Sequence, residues 1–317
     1  MQKNFLLLIA IALSIFAFFL YSQKTPTENI RVGSQAGHYL NTFFPLYVAQ
    51  QEGFFKDEGL NMTILDLGTT GSTNALISKN IEFSTIIEPA ISAKISGADL
   101  KVVLTYSNNE NFLYSNLSSI KELKGKKMAE SCIPCTSYVN FNHLLVENGL
   151  NRSDVTVVII PDVDERIKAF KSGAVDATEV TQVVFKPNET KMQIYLANNS
   201  LTSMTGAVVA MDQYVKQNPD TVMKFTRAVA KSVKFIYSNR NVTIELLKSG
   251  LNLDNEGAER IYDSIVKNRI YISSLNMSNI NGEIQEIAEV TGKKPINATD
   301  IVDPTFFNNL PSDLQIS

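Results

Sequence analysis

The chain has 317 residues, of which 44% are hydrophobic and 19% charged, and its formal net charge is -3. This composition excludes a disordered protein, a fibrous repeat and a polytopic membrane protein. The slightly acidic balance argues against a nucleic-acid-binding protein, which normally carries a basic surface. The length predicts two domains or one two-lobed unit with a sizeable core.

An uncharged apolar run extends from Phe5 to Leu20 and follows Lys3. Such a run is typical of a signal peptide or a membrane anchor, so we assign residues 1–22 to it and residues 23–29 to a linker. Because no small-x-small cleavage site follows Leu20, we favour a retained transmembrane anchor with the bulk of the chain extracytoplasmic. Cleavage would instead release a secreted protein.

The sequence contains eight Asn-x-Ser/Thr acceptors for N-linked glycans, more than its composition predicts. They indicate an extracellular glycoprotein, in agreement with the apolar N-terminal run. The acceptor residues are Asn61, Asn116, Asn151, Asn188, Asn198, Asn241, Asn276 and Asn297.

Short β-rich runs alternate with helical patterns from residue 29 onward, which predicts an α/β fold with mainly parallel sheets. Strands are predicted at 30–33, 62–66, 83–87, 101–106, 127–129, 155–160, 177–180 and 192–196. Helices are predicted between them at 44–52, 72–78, 90–96, 137–148 and 163–171. After Met211 the pattern indicates helices almost exclusively, at 218–237, 242–249, 255–266 and 278–289.

The segment PLYVAQQEGFFKDEGL, residues 45–60, predicts a helix that ends at Gly53, two aromatic side chains that pack back, and a chain reversal at Gly59. It resembles the opening strand–helix–strand unit of the extracytoplasmic solute-binding proteins of ABC transporters. The resemblance is to the SsuA/THI5-like and NMT1-like group, which takes sulfonates, nitrate and thiamine precursors. Similar segments follow in order: LGTTGSTNAL (67–76), KNIEFS (79–84), GADLKVV (97–103), IKELKGKK (120–127) and KSGAVDA (171–177).

This resemblance, which covers residues 30 to about 270, implies a type II periplasmic-binding-protein fold with a ligand cleft between two lobes. Lobe one would comprise 30–108 and 203–317, and lobe two 109–202. It further implies a monomeric, non-catalytic protein that has no cofactor and delivers a small molecule to a membrane-embedded ABC permease.

Open parallel sheets bind ligands at the carboxyl ends of their strands, so polar residues in the strand-end segments are the predicted ligand contacts. These segments contain the carboxylates Glu88, Glu130, Asp162 and Glu179 but no lysine or arginine. We therefore expect a neutral or cationic ligand such as a thiamine-precursor-like amino-pyrimidine, unless these carboxylates pair or cap elsewhere. The predicted contacts are Gln35, His38, Asn41, Thr70, Gly71, Ser72, Glu88, Ser107, Thr136, Ser137, Tyr138 and Glu179.

The segment Cys132-Ile-Pro-Cys135 precedes a predicted helix in lobe two. Outside the cell such a pair predicts a short disulfide. A second interpretation is a soft-metal site completed by His38 or His143, although His143 fits a core or surface position within its helix better. We assign no metal ligands.

Motifs of hydrolases, zinc proteases, P-loop proteins and dinucleotide-binding proteins are absent from the sequence. We therefore predict a solute-binding protein rather than an enzyme. Two alternatives are a membrane-tethered sensor or structural subunit with a repurposed pocket, and a Cys-x-x-Cys metal-binding protein.

Overall fold

The structure is a computed structural model that describes residues 27–35, 40–131, 136–180, 185–186, 188–196 and 204–316. The predicted anchor at residues 1–22 lies outside the described residues. Within the described part of the chain, no helix is long and apolar enough to cross a membrane.

The described strands and helices alternate through the first two thirds of the chain. The strands are β1 (Glu28–Ser34), β2 (Leu60–Asp66), β3 (Phe83–Ile86), β4 (Leu100–Asn108), β5 (Phe112–Ser115), β6 (Lys127–Glu130), β7 (Thr156–Ile159), β8 (Ala177–Val180), β9 (Met192–Tyr195), β10 (Met204–Met211) and β11 (Tyr271–Ser274). The helices are α1 (Leu40–Gln51), α2 (Phe54–Asp57), α3 (Gly68–Ile77), α4 (Ile87–Ile95), α5 (Thr136–Glu147), α6 (Val163–Lys171), α7 (Asp212–Gln217), α8 (Pro219–Ser238), α9 (Arg240–Leu251), α10 (Asn255–Asn268), α11 (Met277–Thr291), α12 (Ala298–Ile301) and α13 (Thr305–Asn308).

The described strands form two sheets, of six strands in the order β11-β4-β10-β3-β1-β2 and of five strands in the order β7-β6-β8-β5-β9. We call the first sheet with its helices the first lobe, and the second sheet with its helices the second lobe. Strand β1 pairs in parallel with β2 and β3, whereas β10 runs antiparallel to both β3 and β4. In the second sheet β6 has parallel neighbours and β5 antiparallel ones.

The predicted α/β class is confirmed. Four of the six described strands of the first sheet and four of the five of the second run in one direction, as predicted, but β10 and β11 in the first sheet and β5 in the second run the opposite way. The chain leaves the first lobe after β4 and returns through β10, which lies beside β4 in the opposite direction. Strands β5, β10 and β11 were not predicted. Strand β11 is an exception to the expectation of helices almost exclusively after Met211, and it pairs with β4.

Three helices begin three or four residues earlier than their sequence patterns indicate, at Leu40, Gly68 and Ile87. These first turns contain polar residues, such as Thr42, Thr69 and Glu88, that are typical of loops but are helical in the structure. As a result Thr70, Gly71 and Glu88 belong to first or second helical turns. Gly53 and Gly59 have φ values of 78° and 75°, which confirms the predicted helix end and chain reversal.

Helices cover both faces of each sheet. One core of the first lobe packs α1, α8, α9 and α10 against the sheet, and a second core packs α4, α11 and α12 against its other face. In the second lobe α5 and α6 contribute to two separate cores. Because helices cover both faces of each sheet, the carboxyl ends of the parallel strands stay uncovered, and polar groups extend from them.

Three of the predicted glycan acceptors are helix caps. The Asn276 side chain accepts hydrogen bonds from the N–H groups of Ser278 and Asn279, which begin α11. Asn151 and Asn297 each form a reciprocal capping box with an aspartate three residues later. The Asn-x-Ser/Thr pattern at these positions therefore has a structural cause in helix capping.

Candidate functional site

A cavity of about 710 Å³ is lined by residues of both lobes. The lining is rich in hydroxyl, amide and carboxylate groups. From the first lobe these are Gln35, Asn41, Thr69, Thr70, Thr73, Asn74, Glu88, Ser92, Ser96, Thr205, Glu283, Glu286 and Thr291, and from the second lobe Asn111, Ser131, Ser137 and Glu179. The second lobe also contributes Pro161 and Arg166. A volume of this size suits a small organic molecule.

Six of the predicted contact residues line this cavity. They come from segments that follow β1, β2, β3 and β6, together with strand β8, because the carboxyl ends of these strands face the space between the lobes. The six are Gln35, Asn41, Thr70, Glu88, Ser137 and Glu179.

Four other predicted contacts are not among the lining residues. Ser72 is fully buried and donates its hydroxyl to the Gly68 carbonyl oxygen, 2.7 Å away, within α3. Ser107 is likewise buried, in β4. The Tyr138 ring lies beneath the guanidinium of Arg152, at 5.2 Å from the ring centroid. Gly71 lies inside α3.

The remaining predictions fall where the structure gives no description. His38, Cys132 and Cys135 lie outside the described residues, and α5 begins at Thr136, whose side chain is likewise not described. The disulfide and the soft-metal interpretation of the Cys-x-x-Cys segment therefore stay predictions. In the described part of the chain, no group of three or more His, Cys, Asp and Glu residues is arranged to hold a metal ion.

Arg166 supplies a positive charge that the strand-end segments did not reveal. It lies in α6, its side chain is 1% exposed, and its Nε donates to the Glu179 carbonyl oxygen at 2.9 Å. Its Nη1 donates to the carbonyl oxygens of Ile160 and Pro161 at 2.8 and 2.9 Å. These bonds fix the guanidinium in the cavity wall. One signal was present in the sequence, since Arg166 precedes the buried Phe170 by four residues and so shares its face of the helix.

The Glu179 carboxylate faces Arg166 at the same wall. Its side chain is 1% exposed, and its Oε2 lies 3.7 Å from Arg166 Nη2, an ion-pair contact longer than a hydrogen bond. Neither carboxylate oxygen accepts a hydrogen bond from the described residues. Burial raises the pKa of Glu179, and the positive charge of Arg166 opposes that rise.

Further carboxylates surround the cavity, while two predicted ones have other roles. Glu283 and Glu286 reach it from α11, on the first lobe, and were not predicted. Glu130 is buried and accepts from the Ser137 hydroxyl at 3.1 Å, and Asp162 caps α6 by accepting from the Glu165 N–H at 2.9 Å. With Glu88 and Glu179, four carboxylates and the single guanidinium of Arg166 line the described wall.

Residues 41–241 match the NMT1/THI5-like family, which corresponds to more than half of the chain. The chain belongs to the NMT1/THI5-like family. This confirms the resemblance inferred from its sequence segments. The chain is also 23% identical over 309 residues to the binding protein YtlA of Bacillus subtilis (strain 168), an alignment that covers 89% of this chain and 90% of YtlA.

Solved structures share the fold of this chain. The periplasmic sulfonate-binding protein SsuA from Methylobacillus flagellatus KT superposes with a TM-score of 0.72 at 17% identity, over 90% of this chain and 94% of SsuA. The desulfurization enzyme DszB superposes with a TM-score of 0.65 at 13% identity, over 89% and 98% of the two chains. The two-lobed periplasmic-binding-protein fold is thus shown, and it is a fold that also carries an enzyme.

This NMT1/THI5-like chain has buried polar groups where the first lobe continues into the second. Glu110 lies between β4 and β5 and its carboxyl group is fully buried. Burial raises its pKa well above the ordinary value, although the N–H of Asn41 lowers it in part. The carboxyl group at the connection between the lobes therefore keeps its proton to a higher pH than an exposed glutamate does.

Proposed function

We propose that the chain is a non-catalytic, extracytoplasmic substrate-binding protein of an ABC-type import system. The observation that carries this proposal is the polar cavity of about 710 Å³ walled by both lobes of an NMT1/THI5-like chain. A site divided between two lobes binds its ligand when the lobes approach, and closure then presents a distinct surface to a permease. The proposed lobes are 30–108 with 203–317, and 109–202.

The charge of the lining favours a neutral or cationic ligand. Four carboxylates and one guanidinium surround the cavity, and that guanidinium already faces Glu179. A sulfonate or nitrate ion would have to approach this excess of negative charge in a site of low dielectric. An amine or protonated heterocycle would instead find acceptors on both lobes.

The Arg166–Glu179 pair offers a donor beside an acceptor. The Glu179 oxygens accept no hydrogen bond from the described residues, and Arg166 Nη2 lies 3.7 Å from one of them. An amino-pyrimidine has the complementary edge, a ring nitrogen that accepts next to an amino group that donates. We propose that this edge meets the pair, with the amino group donating to Glu179.

A thermal-shift panel of the purified full-length chain tests the ligand class. The panel contains amino-pyrimidines, thiamine, aliphatic amines, sulfonates, nitrate, and copper and zinc salts, with oxidised and reduced protein. A ligand at 100 times its Kd stabilises the folded state by about 2.7 kcal/mol, which is measurable. We expect stabilisation by amino-pyrimidines or amines. Stabilisation by sulfonates alone would contradict the charge argument. If no compound of the panel raises the melting temperature, a sensor or structural subunit is favoured.

Two substitutions connect a positive result to the cavity. Glu179→Gln removes the charge that faces the amino group and should weaken amino-pyrimidine binding at least tenfold. Glu189→Gln, in the second lobe but outside the lining, is the matched control and should bind as the unmodified protein does. Mass spectrometry of the recovered ligand checks for turnover, which a binding protein does not show.

The N-terminal run suggests how the protein is held at its site of action. We propose that residues 1–22 anchor the monomeric chain in the membrane, beside its permease, with both lobes outside. Alkaline carbonate extraction separates an anchored chain from a released one, and externally added protease should digest the lobes in intact cells. Release of the chain by carbonate would show that the run is cleaved.

A further inference from the structure

A hydrogen bond joins the two lobes beside the cavity. His143 Nε2 lies 2.9 Å from Glu286 Oε1. His143 lies in α5, whose Phe141, Leu144 and Leu145 pack in a core of the second lobe. Glu286 lies in α11, which packs in a core of the first lobe through Ile280 and Ile284. This contact therefore forms between two bodies that have separate cores.

Glu286 is also part of the cavity wall. The same helix contributes Glu283, Ile287, Val290 and Thr291 to that wall. A side chain that holds Glu286 consequently fixes one of the carboxylates a ligand would meet. The His143 side chain is 44% exposed and that of Glu286 is 14% exposed, so the imidazole exchanges protons with bulk solvent while the carboxylate is largely enclosed.

We propose that His143 is a positioning residue that holds the cavity carboxylate Glu286 when the lobes meet, and that protonation of its ring strengthens lobe closure and ligand affinity. The inference rests on the proposed function for its ligand and on the interlobe contact for its mechanism. A neutral imidazole can donate one N–H to the carboxylate, and an imidazolium adds a full positive charge to the same bond.

The sign of the pH dependence follows from that chemistry. Histidine side chains change charge between about pH 5 and 8, a range in which an ordinary glutamate stays ionised. The imidazolium attracts Glu286 more strongly than the neutral ring does, so the arrangement in which the lobes touch gains stability as pH falls through this range. Closure and affinity should therefore both increase from pH 8 to pH 5.5.

Other charged groups surround the pair and set the background for this titration. On its own helix, His143 is followed one turn later by Glu147. Two short helical turns, residues 120–123 and 152–154, pack against α5, while α4 and α12 pack against α11. The charged residues of these elements and of α11 are Lys121, Glu122, Arg152, Asp154, Glu88, Lys94, Asp300, Glu283 and Glu289. None of these groups is a histidine, the side chain whose ordinary change of charge lies between about pH 5 and 8.

A second interlobe ion pair provides a matched control. Lys186 Nζ lies 2.7 Å from Glu256 Oε2, with Lys186 next to Phe185 of the second lobe and Glu256 in α10 of the first. The bond raises the pKa of Lys186 and lowers that of Glu256. Both groups therefore stay charged from pH 5.5 to 8, and this pair responds to salt without responding to pH.

Small-angle X-ray scattering of the full-length, ligand-free chain at pH 5.5 and 8.0 tests the closure. The ratio of closed to open molecules should be about two- to fivefold higher at pH 5.5 than at pH 8.0. This range is the one expected for a partly exposed ion pair. His143→Gln keeps a hydrogen-bond donor without a titratable charge and should remove this pH dependence. His143→Lys should hold the lobes together at both pH values, and Lys186→Gln should leave the pH dependence unchanged.

Affinity for an amino-pyrimidine probe, measured at the same two pH values, separates the inference from the proposed function. Because such a probe can itself titrate, the quantity compared is the difference between the unmodified protein and His143→Gln. If the scattering of His143→Gln no longer depends on pH, the closure mechanism is supported. This holds even if no probe binds, because only the ligand proposal then fails. An unchanged pH dependence in His143→Gln, or a Glu286→Gln variant that behaves like the unmodified protein, overturns the inference.

Discussion

The Ser107 hydroxyl in β4 donates a hydrogen bond to the carbonyl oxygen of Asn41 in α1, 2.7 Å away. In a regular helix that oxygen accepts from the N–H four residues later, but residue 45 is a proline and has no N–H. The same hydroxyl accepts from the N–H of Gly206 in β10 at 2.9 Å. One serine therefore joins a helix and two strands at the edge of the cavity.

Replacing this serine tests its structural role. Ser107→Ala leaves a buried carbonyl oxygen and a buried N–H without their partner, so the free energy of unfolding should fall by about 1–3 kcal/mol. Urea unfolding followed by circular dichroism measures the change. Ser78→Ala is the control, because the Ser78 hydroxyl bonds to carbonyl oxygens on an exposed helix end and should change stability by less than about 0.5 kcal/mol.

The space around Gly206 is too small even for the methyl group of alanine. A Cβ at this position would lie 2.4 Å from Ser107 Oγ and 2.8 Å from the Asn41 carbonyl oxygen, which is backbone and cannot rotate away. Gly206→Ala should therefore lower the free energy of unfolding by about 1–3 kcal/mol, as overpacking does. Gly71→Ala offers the opposite result, because its nearest contact is 3.6 Å away and alanine favours the helix it occupies. Thermal unfolding of both variants compares them, and equal melting temperatures would contradict the close approach.

Local sequence patterns were sufficient to predict elements whose apolar residues recur at a regular period and whose ends carry recognisable capping or turn residues. Helix 163–171 and strand 177–180 were predicted with the bounds the structure shows. Strand β10 was missed because its run MTGAVVAM is buried almost throughout and has no alternation, so only its non-local pairing with β3 and β4 defines it. Strand β11 is four residues long between two helices, too short for its period to be read.

The site was predictable where a polar side chain directly follows a strand, as for Gln35 and Glu88. It was not predictable for Arg166, Glu283 and Glu286, which reach the cavity from beyond the first turn of their helices. Arg166 lies on the inner face of α6, and Glu283 and Glu286 project from a helix more than 150 residues beyond the first candidates. Their convergence depends on how two lobes meet, which no local spacing encodes. Ser107 shows the converse, since a strand-end hydroxyl satisfied the backbone instead.

Glu110 should make stability depend on pH in a defined direction. Its pKa lies well above the ordinary value because the carboxyl is buried. As pH rises above about 4.3, the unfolded chain loses this proton while the folded chain keeps it, so the free energy of unfolding falls. Glu110→Gln has no such proton and should gain stability relative to the unmodified protein as pH rises, by at most about 1.4 kcal/mol per pH unit. Urea unfolding at pH 4.5, 6.0 and 7.5 measures the difference.

Glu28 provides the opposite case for comparison. Hydrogen bonds from Thr221 and Lys224 lower its pKa, with the Thr221 hydroxyl making the larger contribution. Its stabilisation is present above about pH 4.3 and is lost as pH falls through the lowered value. Glu28→Gln should therefore be less stable than the unmodified protein at pH 7.5, and the deficit should shrink towards pH 3. If the free energies of unfolding of Glu110→Gln and Glu28→Gln changed in parallel with pH, both pKa directions would be contradicted.

Arg166 should be among the least replaceable residues of the second lobe. Its guanidinium bonds to three backbone carbonyl oxygens and faces the buried Glu179 carboxylate. Arg166→Met removes the charge but keeps much of the volume, which leaves those oxygens without donors and the carboxylate without its counter-charge. Removing one partner of a buried pair costs about 3–5 kcal/mol, so we expect a loss of that size in urea unfolding.

The double variant Arg166→Met with Glu179→Gln separates charge from hydrogen bonding. If the unpaired carboxylate causes most of the loss, the second substitution should restore part of the stability, because it removes the buried charge. If instead the three carbonyl bonds dominate, the double variant should be as unstable as Arg166→Met alone, and Arg166→Lys, which keeps the charge without the fork of donors, should be nearly as unstable. Urea unfolding at pH 7 of the unmodified protein, Arg166→Met, Glu179→Gln and the double variant gives the coupling energy. A value near zero would show that the 3.7 Å contact between Arg166 and Glu179 contributes nothing to the second lobe.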